Sequence, residues 1–403
     1  MSDFYQSGVI TTLHMLGHRD LGSLEAELEQ MVRKRPIALV LPSLFSELKG
    51  KALPGIRREL KKVKYLHQVV VSLGGTTKQS DFDKAKKFFS TLPHESKVIW
   101  NGGKRLQSIY RLMEKHHLPM GSDGKGRAAW IAYGYILASG KSRLIALHDC
   151  DILNYDRSLL ARLCYPVVNP SLNYQFCKGY YSRVTDRMYG RVTRLYVFPL
   201  VRAFLQVVGP HPLLSFVNSF RYPLAGEFSM EAELARINRI PGDWGLEVGV
   251  LSEIFRNCSP KRVCQVELLH TYQHKHQPVS RKDPTRGLVK MSVDIGKTLF
   301  RSLASQGVIF NRGTLTTIVS AYTRESQDAR ECYAADAAIN GLPYDRHAET
   351  LTVEAFAKGL NIAGETFLED PLGTPRIPNW NRVVSAVPDI FEQLLDAVER
   401  DNR

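Results

Sequence analysis

Apolar residues in the first 150 positions follow two alternating rhythms. Short β-rich runs predict strands at Ile37–Leu41, His67–Ser72, Lys97–Trp100 and Ser142–His148. Between them the apolar spacing is helical: around Ile56, Leu60 and Val63, from about Asp81 to Thr91, from about Lys104 to His116, and from Ala128 to Leu137. Turn formers close each strand, at Pro42-Ser43, Gly74-Gly75, Asn101-Gly102-Gly103 and Asp149-Cys150-Asp151. Strands alternating with helices predict an α/β fold with a parallel, doubly wound sheet. Such sheets bind ligands beyond the carboxyl ends of their strands, where Pro42, Gly74, Asn101 and Asp149 all fall.

The flanking regions are plainer. Residues 1–35 predict a polar lead-in and an amphipathic helix on Leu24, Leu28 and Met31. After the fourth strand the pattern is mixed, with a strand near Tyr174–Tyr181 and a helix over Arg191–Val207. Beyond about Val289 it turns helical, at Val293–Leu303, Leu315–Tyr322, Gln327–Ile339 and Asp389–Val398. The organisation expected is a lead-in at 1–35, an α/β unit over 36–289 and a helical region over 290–403. No repeat or low-complexity tract interrupts it.

A chain of 403 residues suits one large α/β domain with an appended part. Its net charge of +14 favours anionic partners of any kind. The densest basic run, Arg57, Arg58, Lys61, Lys62 and Lys64, sits at helical spacing and reads as the solvated face of an amphipathic helix. No nucleic-acid-binding signature accompanies it. The six cysteines form no C-x-x-C pair, which predicts free thiols and a reducing cytoplasm. Leu195–Val217 is the most apolar stretch, but Pro199, Arg202 and a Gly-Pro-His-Pro break at 209–212 exclude a membrane span of about 18 apolar residues.

Six segments carry candidate chemistry. At His148-Asp149-Cys150-Asp151 an apolar strand runs into D-x-D, which is either a solvated turn or a pair of hard ligands for a divalent cation on diphosphate oxygens. Gly121-Ser-Asp-Gly124-Lys125-Gly126 is either a surface turn or a lysine-assisted anion site at a helix start. Arg187-Met-Tyr-Gly190-Arg191-Val-Thr193 reads as a helix cap or a carboxylate and phosphate clamp. Tyr222-Pro-Leu-Ala-Gly226-Glu227 and Pro241-Gly-Asp-Trp-Gly245-Leu-Glu247-Val-Gly249 set acids beside glycines, as turn and first-turn acids or as acids presented to a cleft. His270, His274 and His276 lie in a polar stretch from which one imidazole could join a metal site.

Taken in order, these segments resemble the glucosyl-3-phosphoglycerate synthases, retaining glycosyltransferases of GT-A fold. The resemblance covers roughly residues 36–285 and is most specific at Gly190-Arg191-Val192-Thr193, Pro223-Leu-Ala-Gly-Glu227 and Gly245-Leu-Glu-Val-Gly249, where the family reads like G-R-V-T, P-L-G-G-E and G-x-E-I-G. It implies a nucleotide-sugar half at about 36–155 and an acceptor half at about 156–289. Pro42, Ser43, Leu44 and Glu47 would line the nucleotide pocket, Lys125 would touch donor phosphate, and Cys150 would meet donor through its backbone. Asp149 and Asp151 would hold Mg²⁺ or Mn²⁺, with His274 as third ligand. Gly190, Arg191 and Thr193 would hold the acceptor, and Glu227, with Asp151 the expected catalytic residues, would stand by the donor sugar. Tyr272 falls where the family tends to carry an arginine, so that role is not carried over. The chain departs from the family in places: Pro42-Ser-Leu-Phe-Ser-Glu47 has one acid fewer, Ser72-Leu-Gly-Gly-Thr-Thr-Lys78 replaces an acidic turn, Cys150 stands for serine in D-x-D, and the stretch beyond about 290 is longer than in the shortest members.

The reaction implied is transfer of glucose from UDP-, GDP- or ADP-glucose to the 2-hydroxyl of 3-phosphoglycerate, in a cytoplasmic homodimer with no nucleic-acid partner. The same fold acting on glycerate, or transferring mannose, is the alternative within the class. Outside it stands a non-catalytic nucleotide- or nucleic-acid-binding protein using the basic helix. A dinucleotide oxidoreductase is excluded, since no G-x-G-x-x-G follows the first strand.

Overall fold

The computed structural model describes residue 6 and residues 8–17, 19–121, 123–273, 279–280, 283–373 and 376–403. Eight strands form one sheet: β1 (Thr11–Leu13), β2 (Ile37–Leu44), β3 (Leu66–Gly74), β4 (Glu95–Trp100), β5 (Leu144–Leu147), β6 (Phe176–Tyr181), β7 (Phe228–Glu231) and β8 (Val263–Leu269). Their order is β1-β8-β6-β7-β5-β2-β3-β4. Every neighbouring pair is parallel except those of β7, which runs antiparallel to β5 and β6. The order reverses between β2 and β5, so the crevice beyond these two strands is the switch point at which open α/β sheets hold ligands.

Strand periodicity divides the core. Ala38 and Val40 of β2 face one side with Val70, Ile99, Ile145 and Leu147. Ile37, Leu39 and Leu41 face the other with Val69, Val71 and Val98. Helices Leu21–Met31, Ala52–Leu60, Gln79–Phe89 and Arg157–Val168 cover the second side, and Lys125–Ser139 with the C-terminal helices covers the first. The basic run lies partly as expected: Leu53, Ile56 and Leu60 are buried on a helix that carries Arg57 and Arg58, but it ends at Leu60, so Lys61, Lys62 and Lys64 follow it, and Arg57 lays its guanidinium 3.9 Å from the centre of the Phe88 ring. Among the described residues no helix is long and apolar enough to cross a membrane.

Three differences from the expected elements have physical causes. Strand β2 continues through Pro42 to Leu44, because β5 pairs it only as far as Val40 and the missing Pro42 N–H costs no second ladder. Strand β7 has only four residues and β1 three, too short to show a period. In β8 the polar Gln265 hides the run. It is nonetheless buried, and its amide donates to Thr12 Oγ1 and to the Ser219 carbonyl, both at 2.8 Å, docking β1.

Among the described residues the C-terminal region has five helices, Gly287–Ala304, Arg312–Ile339, Arg346–Glu369, Trp380–Ala386 and Ile390–Asn402. The two expected helices at 315–322 and 327–339 are one, and Arg346–Glu369 joins it. The packing is close. Trp380 stacks on Trp130 with centroids 4.1 Å apart, and a Cβ at Gly134 would lie 2.0 Å from the Trp380 ring. The helix Ile390–Asn402 closes the sheet edge: Asn402 accepts from Val98 N at 3.0 Å and donates to Val98 O at 2.9 Å. One apolar cluster holds residues of both the sheet and these helices. Trp380→Ala is therefore expected to cost about 3–5 kcal/mol in urea denaturation, as large buried aromatic truncations do. A loss under about 1 kcal/mol would mean that the helices dock without supporting the sheet.

Candidate active site

The site gathers at the ends of β2 and β5. Ser43 is buried, whereas Leu44 is 54% exposed and lies over the Gly74-Gly75 turn, where Gly75 takes a left-handed φ of +74°. Glu47 follows on a short 3-10 helix, Phe45–Lys49. The Cys150 thiol is buried among Ser43, Asp149, Asp151 and Glu47, and burial pushes its pKa up, keeping it protonated. The expected donor residues Pro42, Ser43, Leu44, Glu47, Asp149 and Cys150 thus lie together at and just beyond the ends of the paired strands β2 and β5. Buried Asn101 braces the neighbouring β3, donating to Ser72 Oγ at 2.9 Å and to Leu73 O at 3.1 Å.

Lys125, second residue of the Gly124-Lys125-Gly126 turn, enters the crevice at the first turn of helix Lys125–Ser139. Its ammonium pairs with Asp149 Oδ1 at 2.6 Å and Glu247 Oε1 at 3.1 Å. Burial opposes the charge, but these carboxylates outweigh it and hold Lys125 protonated more tightly than an ordinary lysine. The approach requires glycine at 226: a Cβ there would stand 2.5 Å from Asp149 Oδ2 and 2.8 Å from Lys125 Nζ. Glu247 serves both sequence readings, as a first-turn acid of helix Leu246–Asn257 and as a partner of Lys125.

Glu227 is fully buried rather than a solvated turn residue. Tyr181 donates to its Oε2 at 2.8 Å and Tyr272 to its Oε1 at 2.6 Å. The two rings stack face to face, centroids 3.8 Å apart. Burial and the Asp149 charge push the Glu227 carboxyl up against the pull of the two phenols. Burial likewise pushes both phenols well up, with Glu227 reinforcing it, so they stay donors. Beneath them Lys178 of β6 is fully buried and donates to Ala225 O at 2.7 Å, anchoring the loop that carries Gly226 and Glu227. Burial pulls its pKa down to about 8, with Glu247 and Glu227 resisting.

The acceptor candidates reach this centre through aromatic rings. Gly190, at φ +71°, packs its Cα edge against Tyr222, and Tyr222 leans on Tyr181 with centroids 5.1 Å apart. Arg183 donates to Tyr222 Oη at 3.2 Å. Arg191 opens the following helix, and Thr193 begins a π-helical turn, Thr193–Val197. The Thr193 hydroxyl is buried with no hydrogen-bond partner among the described residues. Arg191 donates through Nε to Glu349 Oε1 at 2.8 Å.

Asp149 and Asp151 offer hard oxygen donors of the kind Mg²⁺ and Mn²⁺ take. No three candidate ligands converge among the described residues, and His274 and His276 lie outside them. Lys178, Tyr181 and Glu349 belong to no motif, and Tyr272 has no role in the resemblance. A lysine inside the apolar run Phe176–Tyr181 is the one local signal for the first of these.

No family model matches the chain. It is 48% identical over 402 residues to a glucosyl-3-phosphoglycerate synthase of Persephonella marina, covering 100% of this chain and 99% of that protein. A second, from Methanococcoides burtonii, is 39% identical over 404 residues, covering 99% and 98%. Among solved structures, glucosyl-3-phosphoglycerate synthase of Mycobacterium tuberculosis in complex with Mn²⁺, UDP-glucose and phosphoglyceric acid superposes with a TM-score of 0.54 at 20% identity, over 75% of this chain and 90% of that one. Mannosyl-3-phosphoglycerate synthase of Rubrobacter xylanophilus gives 0.53 at 22%, over 71% and 80%. The expected GT-A fold is present.

Two outcomes test this geometry. Gly226→Ala should displace Asp149 and Lys125 and lower kcat/KM about 100-fold in steady-state kinetics, with melting little changed. For Lys178, the unfolded chain holds a proton up to 10.5 that the folded chain releases near 8, so stability rises with pH across that window. Wild type should gain about 3 kcal/mol over Lys178→Met between those limits in denaturant titrations at stepped pH. A pH-independent gap would place Lys178 in a wetter setting.

Proposed function

Because the chain belongs to the glucosyl-3-phosphoglycerate synthase family of glycosyltransferases, we propose that it transfers glucose from a nucleoside-diphosphate glucose to the 2-hydroxyl of 3-phosphoglycerate, retaining configuration at C1. The observation that carries this reading is Lys125 at a helix start, paired with the first carboxylate of D-x-D at the switch point of the sheet. The nucleotide fits between Pro42, Ser43, Leu44 and Glu47, and the diphosphate reaches Lys125. UDP-glucose is the first donor to test, since the mycobacterial enzyme of the same fold was solved with it. Asp149 and Asp151, with His274, would hold Mg²⁺ or Mn²⁺, which neutralises charge on a departing diphosphate.

The chain's own residues supply the rest. Lys125 stays cationic and stabilises the leaving oxygen as the C1–O bond breaks. Glu227, fixed by two phenols, lines the sugar pocket without swinging. Arg191 and the unsatisfied Thr193 hydroxyl grip the acceptor's phosphate or carboxylate, placing its 2-hydroxyl against C1. The new C1–O bond forms on the face the diphosphate leaves, and the hydroxyl proton passes to the diphosphate oxygen. Glucose is preferred to mannose on the names of both relatives, although the mannosyl enzyme shares the fold.

A transfer assay with 3-phosphoglycerate, scanning UDP-, GDP- and ADP-glucose with and without Mg²⁺, tests the reading. Metal-dependent transfer that Asp151→Ala abolishes is the expected result. Activity on glycerate alone would move the acceptor assignment, and no turnover with any donor would sink the reading. Arg191→Ala should raise the acceptor KM about 10- to 100-fold, the worth of a charged hydrogen bond, while leaving the donor KM near wild type.

A further inference from the structure

We propose that Glu349, on the C-terminal helix Arg346–Glu369, is a positioning residue of the acceptor site, and that the C-terminal helices complete that site. The inference rests on Arg191 being an acceptor ligand and extends it to a region with no assigned role.

The geometry is specific. Glu349 is 4% exposed and bridges two arginines of one helix start, pairing through Oε1 with Arg191 Nε and through Oε2 with Arg194 Nη2, each at 2.8 Å. Arg194 is itself buried and donates through Nε to Tyr189 O at 3.0 Å, so the carboxylate is tied to the backbone just before Gly190. Two guanidinium groups against one carboxylate leave a positive balance for an anionic acceptor. Arginine has five N–H donors, and the Nε contact uses only one of those on Arg191.

A second, independent observation points the same way. The π-helical turn Thr193–Val197 widens the helix immediately after Arg191, as such turns often do at functional sites. Its Leu195 carbonyl accepts from Tyr322 Oη at 2.9 Å and from Ser326 Oγ at 3.2 Å. Both donors are fully buried on helix Arg312–Ile339. Tyr196 of the same turn lies against Gly296 of helix Gly287–Ala304, where a Cβ would come within 2.7 Å of its hydroxyl. Three C-terminal helices therefore hold the loop and turn that present Gly190, Arg191 and Thr193.

The test is a KM split on the full chain with 3-phosphoglycerate and the active nucleotide donor. Glu349→Gln should raise the acceptor KM about 10-fold or more with donor KM and kcat within about twofold, and Glu349→Asp should recover part of the loss. Tyr322→Phe, a milder change on the second support, should raise the acceptor KM about two- to threefold and decides the matter if Glu349→Gln does not fold. An unchanged acceptor KM in Glu349→Gln, or in Tyr322→Phe where that variant decides, overturns the proposal even if melting falls. A lowered acceptor KM overturns it too, since Glu349 would then compete with the acceptor for Arg191. Arg191→Ala separates the two levels: if it leaves the acceptor KM unchanged, the acceptor reading itself falls, and if it raises the KM while Glu349→Gln does not, only the positioning role falls.

Discussion

The Lys125 ammonium, held between the carboxylates of Asp149 and Glu247, is the contact around which the crevice is arranged. These three residues come from a helix start, a strand end and a second helix start, so their meeting fixes how three parts of the fold abut. Charges taken partly out of water persist only when each is answered nearby. The same demand explains the layers beneath. Gly226 is bare so that Asp149 and Lys125 can close over it, Glu227 is satisfied by two tyrosines, and Lys178 supports the loop from below. Two ammonium groups thus stand against three carboxylates.

Much of the frame was legible because strands β2 to β5 are bounded by turn formers and separated by amphipathic helices. The part of the sheet beyond β5 was harder to read for reasons that are physical. Strand β7 has too few residues to show alternation, and β8 carries a glutamine that is buried yet fully bonded. The candidate site shows the same division. D-x-D, Gly124-Lys125-Gly126 and the Gly-Glu segments announce themselves by local spacing. Tyr272 looked like a departure at a position the family gives to arginine, and its hydroxyl meets Glu227. Glu349 lies 158 residues from Arg191 and sits in a helix with no motif of its own, so only the packed structure relates them.

The C-terminal helices share one apolar cluster with the sheet's first face rather than a boundary of solvated side chains. The Trp130–Trp380 stack and the contact of Trp380 with Gly134 place that cluster directly on the helix that begins at Lys125. The C-terminal helices thus touch the helix of Lys125 through Trp380, and Arg191 and Leu195 through Glu349, Tyr322 and Ser326. A packed interior transmits shifts because it has little free volume in which to absorb them.

The reciprocal bonds between Asn402 and Val98 bear on how the chain is made. A polypeptide emerges from the ribosome with its amino end first, so β4 forms the outer border of the sheet some three hundred residues before its cover exists. During that interval Val98 offers an open N–H and C=O to any passing strand, and such borders are templates for association between nascent chains. Synthesis through Asn402 seals it with a side-chain amide that mimics the backbone of a ninth strand. Without that helix the N–H and C=O of Val98 would stand open at the border of the sheet, the kind of edge that pairs with other strands.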